Sequence, residues 1–205
     1  MIAILDYDMG NLRSVSKALE HVGSEVLVTN NPKDLKNASA LVVPGVGAFG
    51  DCVKTLTNCR LIDAIKDFIA SGRPYLGLCL GMQILLEASE EAPGINGLGI
   101  IKGKVKRFST QMELKIPHMG WNKIKVITPH SRDTLFQSIP NNSYMYFVHS
   151  YYADPEDKSV IGTETDYGIT FCSAICKDNI FATQFHPEKS QHLGLQILKN
   201  FGGLC

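Results

Sequence analysis

Residues 74–89 read Pro74-Tyr75-Leu76-Gly77-Leu78-Cys79-Leu80-Gly81-Met82-Gln83-Ile84-Leu85-Leu86-Glu87-Ala88-Ser89, and their reading decides the fold. Residues 75–78 form a short apolar run behind the Gly72-Arg73-Pro74 punctuation, the pattern of a buried strand. Residues 82–88 read as a helix with Leu and Ile on its buried side. Between strand and helix, Gly77-Leu78-Cys79-Leu80-Gly81 is a G-x-C-x-G, a nucleophile elbow with Cys in place of Ser. The flanking glycines allow strand and helix to approach closely, which is expected to push the Cys79 side chain out to an exposed tip. A thiol at a helix start is favoured as thiolate by the dipole and the free N–H groups. The competing reading is a structural cysteine in an ordinary strand–turn–helix, so a partner base must decide.

That partner lies near the other end of the chain. Phe185-His186-Pro187-Glu188-Lys189-Ser190 follows the strand-like residues 180–184. Pro187 biases His186 toward an extended backbone and, lacking an N–H, bars the strand from continuing. At positions i and i+2 of an extended chain His186 and Glu188 share a side. Glu188 can then hold one ring nitrogen while the other faces Cys79, the base-plus-orienter arrangement of a catalytic triad.

The 205 residues, 44% of them hydrophobic, suffice for one sizeable core, and residues 1–205 read as a single domain. A formal net charge of zero gives no footprint for nucleic acid or an anionic membrane. The N-terminus enters a strand pattern directly, with no basic stretch or small-residue cleavage site, and no apolar run approaches a membrane span. A cytoplasmic protein is expected. The six cysteines, Cys52, Cys59, Cys79, Cys172, Cys176 and Cys205, then read as free thiols. Cys172 and Cys176 have no ligand partners at zinc-site spacing, so no metal is expected.

Up to residue 78 the chain alternates strand (2–6, 25–29, 40–43) with helix (11–22, capped by Asn11, and 52–71, in two pieces). Such alternation implies an α/β fold with a mostly parallel central sheet flanked by helices, and a binding site at the carboxyl ends of its strands. From Gly99 onward the strands (104–108, 122–127, 144–148, 160–165, 170–174, 180–185) are joined by turn signals such as Lys177-Asp178-Asn179. This half is expected to be mixed or antiparallel, closed by a helix over 191–201 that Gly202-Gly203 stops.

Gly45, Gly47 and Gly50 satisfy G-x-G-x-x-G after a strand, which could mark a nucleotide site in a non-catalytic binding module. Against it, Pro44 occupies the place of the tight turn, and no acidic residue ends a strand about 20 residues on. The preferred reading is a mobile glycine loop whose N–H groups face a developing oxyanion.

Together these segments resemble the class I (triad) glutamine amidotransferases, and more narrowly the glutaminase subunits of imidazole glycerol phosphate synthases. The narrower resemblance spans the chain through Asp6-Tyr7-Asp8-Met9-Gly10-Asn11-Leu12, Pro44-Gly45-Val46-Gly47, Pro117-His118-Met119-Gly120-Trp121-Asn122 and Tyr146-Phe147-Val148-His149-Ser150-Tyr151. It implies that Cys79 attacks the side-chain amide of glutamine, with His186 as base and Glu188 as orienter. It puts the N–H of Leu80, with that of Gly47 or Val46, in the oxyanion hole, and Gln83, Ser150 and Tyr151 on the substrate. Trp121, Tyr146 and Lys189 would face a partner, the (β/α)8-barrel cyclase subunit of a heterodimer that receives the ammonia. No cofactor is implied. From the residues alone, Gln83 could equally be a solvated helix residue, Trp121 and Tyr146 core aromatics, and Lys189 a solvated charge. A glutaminase for a different synthase, or a Cys hydrolase of another amide, would share the same elbow and base.

Overall fold

The computed structural model describes residues 1–111, 114–127 and 134–205. Its framework is a 12-stranded sheet whose main path runs β2-β1-β3-β4-β12-β11-β10-β7-β8. The strands are β1 (Ile2–Leu5), β2 (Val26–Thr29), β3 (Ala40–Gly45), β4 (Tyr75–Cys79), β5 (Ala88–Ser89), β6 (Gly103–Arg107), β7 (His118–Val126), β8 (Ser143–His149), β9 (Tyr151–Pro155), β10 (Ile161–Asp166), β11 (Thr170–Lys177) and β12 (Ile180–Thr183). The first five strands on that path pair in parallel. From β12 outward the pairing is antiparallel, as the mixed C-terminal half requires.

The alternation of side chains divides two cores between the faces of the sheet. Ala3, Leu5, Leu41, Val43 and Tyr75 pack on one face with helices α3 (Phe49–Asn58) and α4 (Ile62–Ala70). Ile2, Ile4, Ala40, Val42, Leu76 and Leu78 pack on the other, beneath α1 (Leu12–His21) and α6 (Gln191–Gly202). Helix α1 starts where Asn11 Oδ1 accepts the Ser14 N–H at 3.2 Å. A single turn, α2 (Pro32–Leu35), is capped in the same way by Asn31.

The hairpin β11–β12 turns at Asp178-Asn179, with Asp178 at φ 51°. Asn179 Nδ2 then donates to the carbonyls of Ile69 and Arg73, at 2.9 and 2.8 Å. These bonds lock β12 beside β4 in the register Thr183↔Leu78, which brings the residues after β12 next to Cys79.

The elbow helix is shorter than expected. Helix α5 covers Leu80–Gln83, and Ala88–Ser89 is the strand β5. Ile84, Leu85 and Leu86 are each fully buried, so the run has no polar face to offer solvent. Its carbonyls are taken from outside instead: Leu98 N–H donates to Ile84, Ile100 N–H to Leu85 and Gly99 N–H to Leu86. The backbone bonds that would have continued the helix go to residues 98–100. At the other end of the chain, Gly202 lies within α6 and Gly203 caps it.

Candidate functional site

Cys79 ends β4 with φ 54° and ψ −103°, a left-handed conformation that a non-glycine residue holds only when its surroundings impose it. Those surroundings are tight. A Cβ at Gly81 would overlap the Val43 carbonyl oxygen, and one at Gly77 would overlap the Gly81 carbonyl. Tyr75, fully buried, donates its hydroxyl to the Gly81 carbonyl at 2.8 Å and holds the turn from below. Cys79 is nevertheless not an exposed tip. Its side chain opens into a cleft of about 290 Å³, and the residue is 8% exposed. With only four residues, α5 supplies little dipole at Cys79.

His186 is extended (φ −100°, ψ 97°), and Pro187–Lys189 curls into a 3-10 turn. It is this turn, rather than strand alternation, that returns Glu188 to the ring, with Oε1 2.9 Å from His186 Nδ1. His186 Nε2 is buried without a hydrogen-bond partner, and Cys79 shares its cleft. Burial alone would disfavour the imidazolium. The neighbouring Cys79 and Glu188 outweigh burial and raise the His186 pKa above its ordinary value, which favours the imidazolium.

Val46, Gly47, Leu80, Gln83, Ser150 and Tyr151 line the same cleft as Cys79 and His186. Gly47 has φ 100°. Gly45 pairs with Cys79 across β3 and β4, and a Cβ there would lie 2.6 Å from the Tyr7 hydroxyl and 2.8 Å from Leu80 Cβ. Tyr7, itself buried, donates to the Pro44 carbonyl at 2.7 Å and anchors the start of the loop. Gln83 is buried rather than solvated, and its Nε2 bonds the Tyr151 carbonyl and Gln184 Oε1, each at 3.0 Å.

Trp121 and Tyr146 are not core aromatics. They pair across β7 and β8 with ring centroids 6.1 Å apart, and Lys189 Nζ lies 5.8 Å over the Tyr146 ring. They belong to an outer face that also shows Met119, 63% exposed, and Tyr144, 51% exposed.

Three residues of the site were given no role in the sequence reading. Glu91 lines the cleft, and its Oε2 accepts the Phe49 N–H at 2.7 Å at the start of α3. That carboxylate occupies the helix N-terminus a phosphate would need, which disfavours the nucleotide reading of Gly45–Gly50. His149 lines the cleft behind Tyr151. Gln184, fully buried, donates from Nε2 to Cys79 Sγ at 3.5 Å. A signal for Gln184 existed, since it stands two residues before His186 in an extended run. Glu91 lies in an irregular segment that no periodicity predicts.

Among the described residues no group of three or more His, Cys, Asp or Glu could hold a metal ion, and no helix is long and apolar enough to cross a membrane. All six cysteines are unpaired. Cys52, Cys172 and Cys176 are buried, and burial raises the pKa of each thiol, that of Cys52 to about 11.

The family model for "Glutamine amidotransferase class-I" matches residues 3–203. A solved structure titled as a glutamine amidotransferase superposes with a TM-score of 0.75 at 18% identity, covering 98% of each chain, which speaks to the fold. The imidazole glycerol phosphate synthase subunit HisH of Syntrophotalea carbinolica is 51% identical over the whole of both chains. The protein of the same name from Geobacter sulfurreducens is 52% identical over 98% of this chain and 97% of its own. The chain thus belongs to the class-I glutamine amidotransferase family, alongside relatives that carry the name HisH.

Proposed function

We propose that residues 1–205 act as one amidotransferase unit, the glutaminase subunit of an imidazole glycerol phosphate synthase in histidine biosynthesis. The chain hydrolyses L-glutamine to L-glutamate and ammonia. A (β/α)8-barrel cyclase subunit, its partner in a heterodimer, consumes the ammonia in forming imidazole glycerol phosphate and AICAR. The observation that carries this reading is the strained Cys79 in a cleft with His186, whose Nδ1 is bonded to Glu188, in a chain about half identical to proteins named HisH.

In this reading Cys79 Sγ attacks the amide carbon of glutamine, and the carbonyl oxygen becomes an oxyanion. The Leu80 N–H, which precedes the first helical hydrogen bond of α5, and an N–H of Val46 or Gly47 receive that charge. His186 gives a proton to the leaving nitrogen, and ammonia departs from a thioester. His186 then takes a proton from water, which attacks the thioester, frees glutamate and restores the sulfur. Glu188 keeps Nδ1 protonated so that Nε2 can perform both transfers. Gln83, Ser150 and Tyr151 hold glutamine in the cleft, and the Glu91 carboxylate suits its α-ammonium group.

Ammonia released to neutral water would be protonated and lost as a nucleophile, so a partner must seal the site. The exposed face with Trp121, Tyr146 and Lys189 suits that role, because Val148 of the same strand β8 also lines the cleft. The test is synthesis by the chain with its cyclase. Cys79→Ala should abolish glutamine-dependent turnover, by 10³-fold or more on the order of triad losses, yet sustain synthesis from added ammonium salt. Glu188→Gln should cost less, since the base survives without its orienter. Glutamine-dependent turnover retained in Cys79→Ala would overturn the reading.

A further inference from the structure

Gln184 follows β12 directly, has no exposed surface, and is fixed by its backbone N–H on the Ser173 carbonyl at 2.9 Å. Which end of its amide meets the sulfur is decided by a connected set of bonds. The Tyr151 carbonyl can only accept, so the Gln83 atom 3.0 Å from it is Nε2. That nitrogen also lies 3.0 Å from Gln184, which must present Oε1 there and its NH2 to Cys79 Sγ, 3.5 Å away.

The same carbonyl accepts from His149 Nδ1 at 2.8 Å, leaving His149 Nε2 as acceptor for His118 Nδ1 at 2.9 Å. His118 Nε2 in turn accepts from Asn122 Nδ2 at 3.2 Å. From the far end, Asn122 Nδ2 also donates to the Asp166 carbonyl at 2.8 Å, which fixes the same direction independently. The run from Asn122 to Cys79 therefore has one consistent set of donors and acceptors. Both imidazoles are buried and neutral, as that set demands.

We infer that Gln184 is a further catalytic residue of the glutaminase: its Nε2–H donates to Cys79 Sγ, favours the charged sulfur and aims it into the cleft. The inference rests on the reading of Cys79 as nucleophile. A thiol is a weak acceptor and a charged sulfur a strong one, so the bond tightens as the sulfur ionises. No proton is transferred to or from Gln184. The other titratable groups around the sulfur are His186 with Glu188 after β12, Tyr7 after β1 with Cys52 of α3 behind it, Tyr75 on β4, and His149 and Glu91 in the cleft wall. The hydrogen bonds of Gln184 go to Ser173, Gln83 and Cys79 and to none of these groups.

The test is alkylation of Cys79 by iodoacetamide as a function of pH in the full chain, read by peptide mapping because the exposed Cys59 and Cys205 would react as well. Gln184→Met should move the midpoint up by about one pH unit, an approximately tenfold loss of reactivity below it. Gln184→Glu keeps the bond from Gln83 but turns a carboxylate toward the sulfur, and should move it further. With the partner present, kcat for glutamine should fall about tenfold in Gln184→Met with little change in KM, since Gln184 does not line the cleft. Unchanged midpoints in both folded variants would overturn the proposal. If neither variant folds, the unmutated chain decides: the Gln184 side-chain N–H resonance should follow the titration of Cys79, and one that stays still would overturn it. A chain whose midpoints shift as expected but that never hydrolyses glutamine with its partner would refute the glutaminase reading and leave this bond standing.

Discussion

At the scale of single residues, two buried histidines make an acid-sensitive feature separate from the triad. Burial lowers the pKa of His118 to about 4 and that of His149 to about 3. Their folded values lie below the unfolded one of about 6.5, so below that pH the unfolded chain takes up protons that the folded chain refuses. Stability should then fall as the pH drops from about 6.5 toward about 4, by up to roughly 1.4 kcal/mol per unit for each histidine. His186 has the opposite sign. Its raised value gives stability that is complete below about 6.5 and is lost at higher pH, so it leaves the acid slope unchanged. Denaturant unfolding at pH 6 and pH 5, both below the range in which His186 contributes, checks this, with His149→Gln expected to remove about half of the slope. An equal slope in that variant would show that other groups carry the acid loss.

At the scale of elements, the elbow depends on the absence of side chains at two glycines more than on any bond it makes. A methyl at Gly81 would meet the Val43 carbonyl, a backbone atom that can yield only if β3 moves. Gly81→Ala should therefore cost at least about 3 kcal/mol, the upper end for overpacking, and lower Tm by roughly 6–12 °C. Gly203→Ala is the control, because its nearest neighbour would lie 3.4 Å away and its φ is −74°. It should melt within about a degree or two of the parent. Gly77 and Gly81 were legible in the sequence because G-x-C-x-G is a local pattern with a local cause. The β/α alternation up to β4 was legible for the same reason, each strand being a short apolar run with a clear boundary. The end of α5 was not, since what stops the helix is a set of carbonyl bonds to residues 98–100, distant in the pattern. Strand β9 was missed as well: Tyr151–Pro155 ends in a proline and owes its pairing with β6 and β11 to tertiary placement. Cys79, His186 and Glu188 could be picked out, but the 3-10 turn that joins the last two could not.

At the scale of the whole molecule, the sheet joins two surfaces, a glycine loop beside the sulfur and an outer ribbon face that exposes Met119, Trp121 and Tyr144. The loop is not free along its length. Tyr7 holds the Pro44 carbonyl, and Gly45 is wedged between the Tyr7 hydroxyl and Leu80, so the hinge falls to the exposed Val46 and to Gly47 at φ 100°. A peptide flanked by glycine can turn its N–H toward or away from the cleft at small cost, and losing one oxyanion donor costs about 3–4 kcal/mol, or 10²–10³ in rate. A single rotation could thus hold the glutaminase off without disturbing His186 or Glu188. A ligand on the partner can reverse it only through a difference in affinity for the two loop states, which requires the assembled complex. The isolated chain should therefore release glutamate slowly, the complex should do little better, and the complex with the acceptor substrate or an analogue should be at least about 10²-fold faster. Equal turnover in all three conditions would show that Val46 and Gly47 form a preformed oxyanion hole, and that the partner face serves only to contain the ammonia.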